Sequence, residues 1–266
     1  MRTRAVAGLL LLATVAVGCG GDDPPSGDGA PGVAWASGDR VRLASGAERV
    51  LDSEVTWFAE TVEGVAYLPV TEPSSTEDGN PLGSPLLLDD GSGEPVELAG
   101  DASGPVASPD GRWLAWNELD TAERQVRLGL VLYDVTTGER TSPFPPDTGL
   151  VADRLTDVTL HVTTFRGPRV LDLATGRSRP ARAVDRVAAD PRLSSPDGRR
   201  LTADLDLPGD VRVVRWVDDE TVAGVVPDGD LVACDVPAAD CTVVPDVPAP
   251  PTEVLLAGSA EPLVRD

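Results

Sequence analysis

The sequence predicts an all-β fold built from repeated units of about forty residues. The segment SPDGRWLAW begins at Ser108, and a near copy, SPDGRRLTA, begins at Ser195, 87 residues later. This separation is close to twice the roughly 40–45 residues of one β-propeller blade. Short β-branched and apolar runs alternate with turn residues, and no long apolar pattern has helical spacing. Residues 33–266 are therefore predicted to form a β-propeller.

A second motif, Asp-x-x-[Ser/Thr]-Gly-[Glu/Arg], recurs between apolar runs. It occurs as DDGSGE, DVTTGE and DLATGR, whose glycines are Gly93, Gly138 and Gly176. A fainter copy contains Gly46, and CDVPAADCTVV keeps the same frame with Ala239 in place of the glycine. Asp, Ser and Thr can bond their own backbone, and glycine accepts a positive φ at little cost. Each copy is therefore predicted to be a turn between two strands.

The number of blades follows from length. The 234 positions of residues 33–266 give 39 residues per blade if the ring has about six four-stranded blades. Five or seven blades remain compatible, because the 63-residue interval from Gly176 to Ala239 holds either an undersized blade or a long insertion. The β-like segments VAWA and TEVLL, near the two ends of the domain, are predicted to join in one blade. That pairing closes the ring and removes exposed edges.

The order of the two motifs resembles a known architecture. SPDGRWLAW followed by LVLYDVTTGER is similar to the paired motif of TolB-like and WD-repeat-like β-propellers. In those families Ser-Pro-Asp-Gly turns into one strand, and Asp-x-x-Thr-Gly joins the two outer strands of a blade. RWVDDETVAGVV, from Arg215 to Val226, resembles a variant of the same opening. The duplication predicts that Asp110 and Asp197 are turn residues with no part in chemistry.

The N-terminal segment reads as a targeting signal. Residues 1–18 are predicted to be a lipoprotein signal peptide, because Arg2 and Arg4 precede a 13-residue apolar run that is too short to span a membrane. AVGC, ending at Cys19, resembles the lipobox of bacterial lipoproteins, in which the cysteine is acylated. The alternative is an ordinary cleaved signal with a chance cysteine. Residues 19–32 have almost no apolar side chain and are predicted to be a flexible tether.

The charge balance narrows the choice of partners. The formal net charge is −22, and loss of residues 1–18 removes two arginines and makes it −24. This balance argues against nucleic acid as a partner, because phosphate binding needs clustered cationic charge. Solubility and mutual repulsion outside the cell explain the acidity. The expected location is the extracytoplasmic face of the cell membrane, where a lipid on Cys19 holds the chain.

Two cysteines remain for the folded domain. Cys234 and Cys241 flank a Pro-Ala-Ala-Asp turn between two apolar runs. An exported chain meets an oxidising environment, so the two sulfurs are predicted to form a disulfide across a hairpin. A metal site is the weaker interpretation, because two thiolates have no nearby histidine or further cysteine to complete four ligands.

Catalytic motifs are not apparent. The single histidine, His161, lies in an alternating strand pattern and is predicted to be packed or exposed rather than catalytic. There is no Gly-x-Ser-x-Gly elbow and no phosphate-binding loop. Close carboxylate pairs could bind calcium or hydrolyse a glycoside, but 44 acidic residues produce such pairs by chance, and none has the spacing of a calcium loop. These pairs are Asp89-Asp90, Asp204-x-Asp206, Asp218-Asp219 and Asp228-x-Asp230.

The tryptophans are assigned to packing. Trp35, Trp57 and Trp216 each begin a β-like run and are predicted to fill the space between blades. Trp113 and Trp116 lie three apart on one strand and are predicted to point to opposite faces.

The resulting functional hypothesis is a non-catalytic binding module that presents a propeller face to a protein or another envelope component. No catalytic residue, metal or cofactor is predicted. The alternative is a carboxylate-dependent enzyme, most plausibly acting on carbohydrate, and a structural envelope component has the same sequence features. Two carboxyl groups that converge in a closed pocket at the ring axis would distinguish the enzyme.

Overall fold

The computed structural model describes residues 32–71, 83–120, 127–145, 151–188, 192–196, 200–207, 210–248, 254–259 and 263. Within these ranges the fold is built almost entirely from antiparallel strands. The strands are β1 Trp35–Ser37, β2 Arg40–Arg42, β3 Glu48–Val50, β4 Val55–Thr61, β5 Gly64–Pro69, β6 Ser84–Asp89, β7 Val96–Ala107, β8 Trp113–Asp120, β9 Arg127–Asp134, β10 Glu139–Thr141, β11 Val151–Leu155, β12 Thr159–Thr164, β13 Gly167–Asp172, β14 Arg177–Pro180, β15 Arg212–Trp216, β16 Thr221–Val225, β17 Leu231–Asp235, β18 Asp240–Val243 and β19 Val254–Leu256. Two short helical segments, α1 Ala183–Ala188 and a 3-10 turn at Thr202–Asp204, separate β14 from β15.

The strands form blades of four, in which each strand pairs with its neighbour in the chain, except that β19 pairs with β1. β11 to β14 form one blade, β15 to β18 another, and β1 to β3 form a third with β19. The seven strands β4 to β10 make two blades that share β7, because the first half of β7 pairs with β6 and the second half with β8. The described residues therefore contain five blades, which is fewer than the preferred six but inside the predicted range.

The two ends of the domain meet in one blade, as predicted. β19 pairs with β1 in an antiparallel register that sets Trp35 opposite Leu256 and Ser37 opposite Val254. The C-terminal segment thus supplies the inner strand of the blade that the N-terminal segment begins. This pairing covers the edge of β1 that would otherwise be the inner edge of the blade.

Apolar clusters lie between neighbouring blades. Trp57 and Trp116 are fully buried in the cluster between the second and third blades. Trp35 packs with residues of β16 and β17, which joins the last blade to the first. Leu130 and Leu160 belong to the cluster between the third and fourth blades. The predicted packing between blades is confirmed for Trp35 and Trp57. Trp216 is also buried, but it packs with residues of its own blade and of the segment before it.

The long interval between repeats holds an insertion, and no four-stranded blade is formed by the described residues from 181 to 211. They form α1, the 3-10 turn and a single isolated bridge between Ser194 and Leu201. Leu205 and Leu207 pack against the buried Trp216. Of the two alternatives for this interval, an undersized blade and a long insertion, the described residues form the insertion, which fills the space beside the last blade.

The outer turns of the blades follow the Asp-x-x-Thr-Gly frame. Gly138 and Gly176 have φ of 70° and 65°, and Ala239, which replaces the glycine, has φ of 52°. In DDGSGE the left-handed residue is Gly91 instead of Gly93, with φ of 77°. The Asp89 carboxylate accepts the amide of Gly91 at 2.8 Å, as the Asp134 carboxylate accepts the amide of Thr136 at 3.0 Å.

The two remaining cysteines lie opposite each other in the last blade. Cys234 on β17 is in register with Cys241 on β18, and a disulfide joins them across Cα atoms 4.0 Å apart. The predicted hairpin is observed, and its turn contains Ala239. Cys19 and the signal and tether residues up to 31 lie outside the described residues.

Candidate functional site: the axial cavity

The inner strands of all five blades end around one cavity of about 200 Å³, which we call the axial cavity. The inner strands are β19, β4, the second half of β7, β11 and β15. Each contributes residues from its C-terminal half, so the cavity opens on the face that carries the turns after these strands. Its wall consists of Gly32, Val33, Ala34, Ala44, Ala59, Glu60, Val106, Ala107, Ser108, Pro109, Asp153, Arg154, Leu155, Pro196, Arg215, Trp216, Val217, Leu256, Ala257 and Gly258.

Arg215, on β15, has no acidic partner among the residues that the structure describes. Its Nη1 donates to the carbonyl of Ala257, and its Nε donates to the carbonyl of Trp216 at 3.4 Å. Among the described residues it forms no ion pair within 4 Å. Burial, with a smaller effect from the like charge of Arg154, lowers the pKa of Arg215 to about 10.

A glycine leaves room for this guanidinium. Gly258 has φ of +71°, and a Cβ at this position would lie 3.3 Å from both Nη atoms of Arg215. Its amide donates to the carbonyl of Phe58 at 2.6 Å, which fixes the chain after β19 against the second blade. The guanidinium therefore lies against backbone on this side of the cavity.

Arg154 is the second cation of the wall. It lies on β11 and is buried, and its Nη1 donates to the Ser194 hydroxyl at 2.8 Å. Its Nη2 donates to the Ser194 carbonyl at 3.3 Å. Ser194 belongs to the insertion, so this segment holds one of the charged groups of the axial cavity in place.

Two carboxyl groups also line the cavity. Glu60 on β4 accepts a hydrogen bond from the amide of Ala44, and burial raises its pKa despite that bond. Asp153 on β11 accepts the Thr163 hydroxyl at 2.8 Å, and burial likewise raises its pKa. Neither carboxyl group contributes to the shift in the pKa of the other. Each is hydrogen-bonded to a different neighbour within the wall.

The turns around the mouth are acidic. Asp110, Asp157 and Asp219 follow the inner strands of three different blades, and the Asp110 amide donates to the Asp157 carboxylate at 3.0 Å. Burial is the main cause of the raised pKa of Asp157, and the charges of Asp110 and Asp219 add to it. Among the described residues, no three His, Cys, Asp or Glu side chains are arranged to hold a metal ion.

The turn predicted for Ser-Pro-Asp-Gly is confirmed at its first copy. The Asp110 carboxylate accepts the Ser108 hydroxyl at 2.5 Å and the Arg112 amide at 3.0 Å, and the Ser108 hydroxyl accepts the Trp113 amide at 2.9 Å. Asp110 is thus bound within its own turn. Asp197, in the second copy, lies outside the described residues.

Of the other residues that the sequence singles out, Trp216 lines the axial cavity and Asp219 stands at its mouth, whereas Asp90, Asp218 and His161 are not among the wall residues. Asp90 and Asp218 accept amides of their own turns, and His161 is buried on β12 with a pKa lowered mainly by burial. Of the two states predicted for His161, packed or exposed, the structure shows the packed one. Sequence reasoning missed the four charged residues of the cavity, because they share no motif and come from strands far apart in the chain. They are Glu60, Asp153, Arg154 and Arg215.

No family model and no curated protein sequence matches the chain. Solved structures with a similar fold include the tricorn protease, with a TM-score of 0.41 and 11% identity over 80% of this chain and 28% of the protease chain. Oligogalacturonate lyase from Vibrio parahaemolyticus has a TM-score of 0.41 and 12% identity over 77% of this chain and 70% of its own. A putative TolB from Agrobacterium tumefaciens has a TM-score of 0.34 and 10% identity over 77% and 72%. The likeness concerns the propeller fold alone.

Among the residues described between 32 and 263, no helix is long and apolar enough to cross a bilayer.

Proposed function

We propose that this chain is a membrane-anchored extracytoplasmic lipoprotein whose β-propeller is a non-catalytic binding module. The axial cavity is its ligand site, and a protein or another envelope component is the partner. The observation that carries the proposal is the gathering of two arginines and two carboxyl groups at the ends of inner strands in one open cavity. Ligand sites typically combine a largely preformed concave wall with a few polar groups that fix orientation.

Binding is favoured over catalysis by the state of the carboxyl groups. Hydrolysis of a glycoside needs two carboxyl groups that work on the same bond, at about 5–10 Å from each other. Glu60 and Asp153 are hydrogen-bonded to different neighbours, and neither shifts the pKa of the other. The same groups can accept hydrogen bonds from a ligand without any reaction.

The cavity can be tested by filling its mouth. Ala44 is exposed and lines the axial cavity, so Ala44→Trp places an indole there without changing the core. We expect this variant to lose the envelope component that the wild-type protein captures from detergent-solubilised membranes. Ala238→Trp, in an exposed outer turn, is the matched control and should keep it. Equal capture by both variants would contradict the use of the axial cavity.

The anchor has its own test. If the thiol of Cys19 carries the lipid, Cys19→Ser releases the protein from the membrane fraction while its thermal stability stays unchanged, because the propeller begins after the tether. Retention of the variant in the membrane fraction would contradict the lipid anchor.

A carbohydrate-active enzyme is the second candidate. One observation favours it: burial raises the pKa values of both Glu60 and Asp153, and a raised pKa suits a general acid at neutral pH. A panel of neutral and acidic oligosaccharides incubated with the wild-type protein and with Glu60→Gln decides between the two. Under our proposal neither protein cleaves any member of the panel; cleavage by the wild type that is lost in Glu60→Gln would establish the enzyme.

A further inference from the structure

We infer that the axial cavity binds a monovalent carboxylate group through the guanidinium of Arg215, with Arg154 beside it. The inference rests on the proposed binding function and adds the chemical class of the ligand. It depends on three features: the hydrogen bonds that Arg215 leaves unused, the like charge next to it, and the acidic mouth.

Arg215 has hydrogen-bond donors that the described residues do not use. A guanidinium carries five N–H groups in a rigid fork that matches the two oxygens of a carboxylate. The structure gives Arg215 two acceptors, the carbonyls of Ala257 and Trp216, which use one N–H of Nη1 and that of Nε. Both N–H groups of Nη2 therefore have no acceptor in the part of the chain that the structure describes. An oxyanion in the cavity would supply one.

The charge around Arg215 also favours an anion. Burial disfavours its charged form, and Arg154 lowers its pKa further instead of compensating it. Neither Glu60 nor Asp153 contributes to this shift, although both line the same cavity. On this side of the cavity the charge of Arg154 therefore acts against that of Arg215. An anion bound to Arg215 would offset this unfavourable effect.

The mouth and the size of the cavity select among anions. Asp110, Asp157 and Asp219 stand in the turns that follow the inner strands, and the whole chain carries a net charge of −22. A phosphate dianion meets about twice the repulsion of a monoanion on this path. The volume of about 200 Å³ is below the roughly 300–1,000 Å³ of sites for drug-sized ligands. It suits a small carboxylate or the carboxylate end of a longer ligand.

The rest of the ligand has defined partners as well. Glu60 and Asp153 present oxygen atoms that accept hydrogen bonds, and burial is the main cause of their raised pKa values. A hydroxyl or amino group near the carboxylate would bond to them. Hydroxy acids and amino acids combine these groups with one carboxylate.

The experiment that tests this inference uses the unmodified, full-length protein in detergent. 2,3-Butanedione modifies accessible arginines, and mass spectrometry of peptides follows each site. At constant ionic strength, acetate or lactate at about ten times its Kd should slow modification of Arg215 about tenfold. The exposed Arg212, on the same strand, should react at an unchanged rate. Equal protection by chloride, stronger protection by inorganic phosphate, or no protection would each overturn the inference.

Two variants complete the test. Arg215→Gln should lose the rise in Tm that lactate produces in the wild type, and Arg212→Gln should keep it. If Arg215→Gln does not fold, the protection experiment on the wild type still decides. The two proposals fail separately. If Ala44→Trp loses capture of the partner and carboxylates do not protect Arg215 in the wild type, only the assignment of a carboxylate ligand is refuted. If Ala44→Trp captures the partner normally and carboxylates do protect Arg215, the axial cavity is refuted as the partner site.

Discussion

The two Ser-Pro-Asp-Gly segments have the same sequence and the same local bond but lead into different structures. In the first, the Ser108 hydroxyl accepts the Trp113 amide at 2.9 Å, and in the second the Ser195 hydroxyl accepts the Arg200 amide at 3.0 Å. The first turn starts the eight-residue strand β8, whereas the second leads only to an isolated bridge and a 3-10 turn. The motif therefore determines a turn and not a blade.

The difference lies in the residues that follow each turn. After the first turn, Leu114 and Trp116 are fully buried on β8 and pack in the cluster between the second and third blades. Ala203 occupies the position that corresponds to Trp116 and is exposed. A strand persists where its side chains have a neighbouring sheet to pack against. Packing between blades, rather than turn chemistry, therefore decides whether a segment forms a blade of the ring.

The largest expected effect is at Trp116. Trp116→Ala removes a fully buried indole between two blades and should lower the free energy of unfolding by about 3–5 kcal/mol. Ala203→Ser, at the corresponding exposed position, should change it by less than about 0.5 kcal/mol. Urea denaturation of both variants measures the difference. Similar costs at the two positions would contradict the idea that packing distinguishes the two regions.

Acid should loosen the insertion before it loosens the blades. The Arg179 guanidinium, which donates to both oxygens of Asp185 at 2.6 and 2.9 Å, holds the pKa of that carboxyl well below its usual range. A lowered pKa means that this stabilisation is complete above the usual carboxyl pKa of about 4 and is lost as the pH falls below it. Because Arg179 is half exposed, the contribution is at most about 2 kcal/mol.

Hydrogen exchange tests this order. Between pH 6 and pH 3, values that bracket the carboxyl pKa of about 4, protection factors around α1 should fall more than those of β8. Asp185→Asn should reduce the protection around α1 already at pH 6. Uniform loss of protection in both regions would show that the ion pair does not hold the insertion in place.

Replacing either of the two turn serines, Ser108 or Ser195, should lower the free energy of unfolding by a similar amount. Ser108 and Ser195 are both buried, and replacing either with Ala leaves a backbone amide without its acceptor. Each change should lower the free energy of unfolding by about 1–2 kcal/mol. Ser195→Ala should in addition raise exchange near Ser194, which holds Arg154. Thermal denaturation and hydrogen exchange together measure these effects. If only Ser108→Ala lowered the free energy of unfolding, the hydrogen bond of Ser195 would not contribute to stability.

The smallest expected effect is at Asp110. Its carboxylate accepts the Ser108 hydroxyl and the Arg112 amide, so Asp110→Ala should cost about 1 kcal/mol and Asp110→Asn less. Neither change should alter capture of the partner at temperatures where the protein stays folded. Loss of binding in Asp110→Asn with an unchanged Tm would make Asp110 a site residue and refute its assignment to the turn.

The local structure of this protein could be predicted from its sequence alone. Turn residues, alternating apolar runs and the hairpin of Cys234 and Cys241 depend on neighbours a few positions away, so their pattern can be read directly. The outer turn at Ala239 was identified even without its glycine, because the flanking strands and Asp235 keep the frame. The repeat spacing also indicated the ring and its closure by the two ends.

The number of blades and the residues of the site could not be predicted from the sequence and are seen in the tertiary structure alone. The interval after Gly176 is as long as a blade and a half. It forms an insertion because its apolar side chains pack beside Trp216, while its described backbone does not pair into a four-stranded sheet. Arg215, Arg154 and Glu60 are ordinary strand residues in the sequence, since one charged residue near a strand end carries no signal. They become a site because ring closure brings the ends of five inner strands around one axis. That convergence joins residues up to about two hundred positions apart, and no local pattern encodes it.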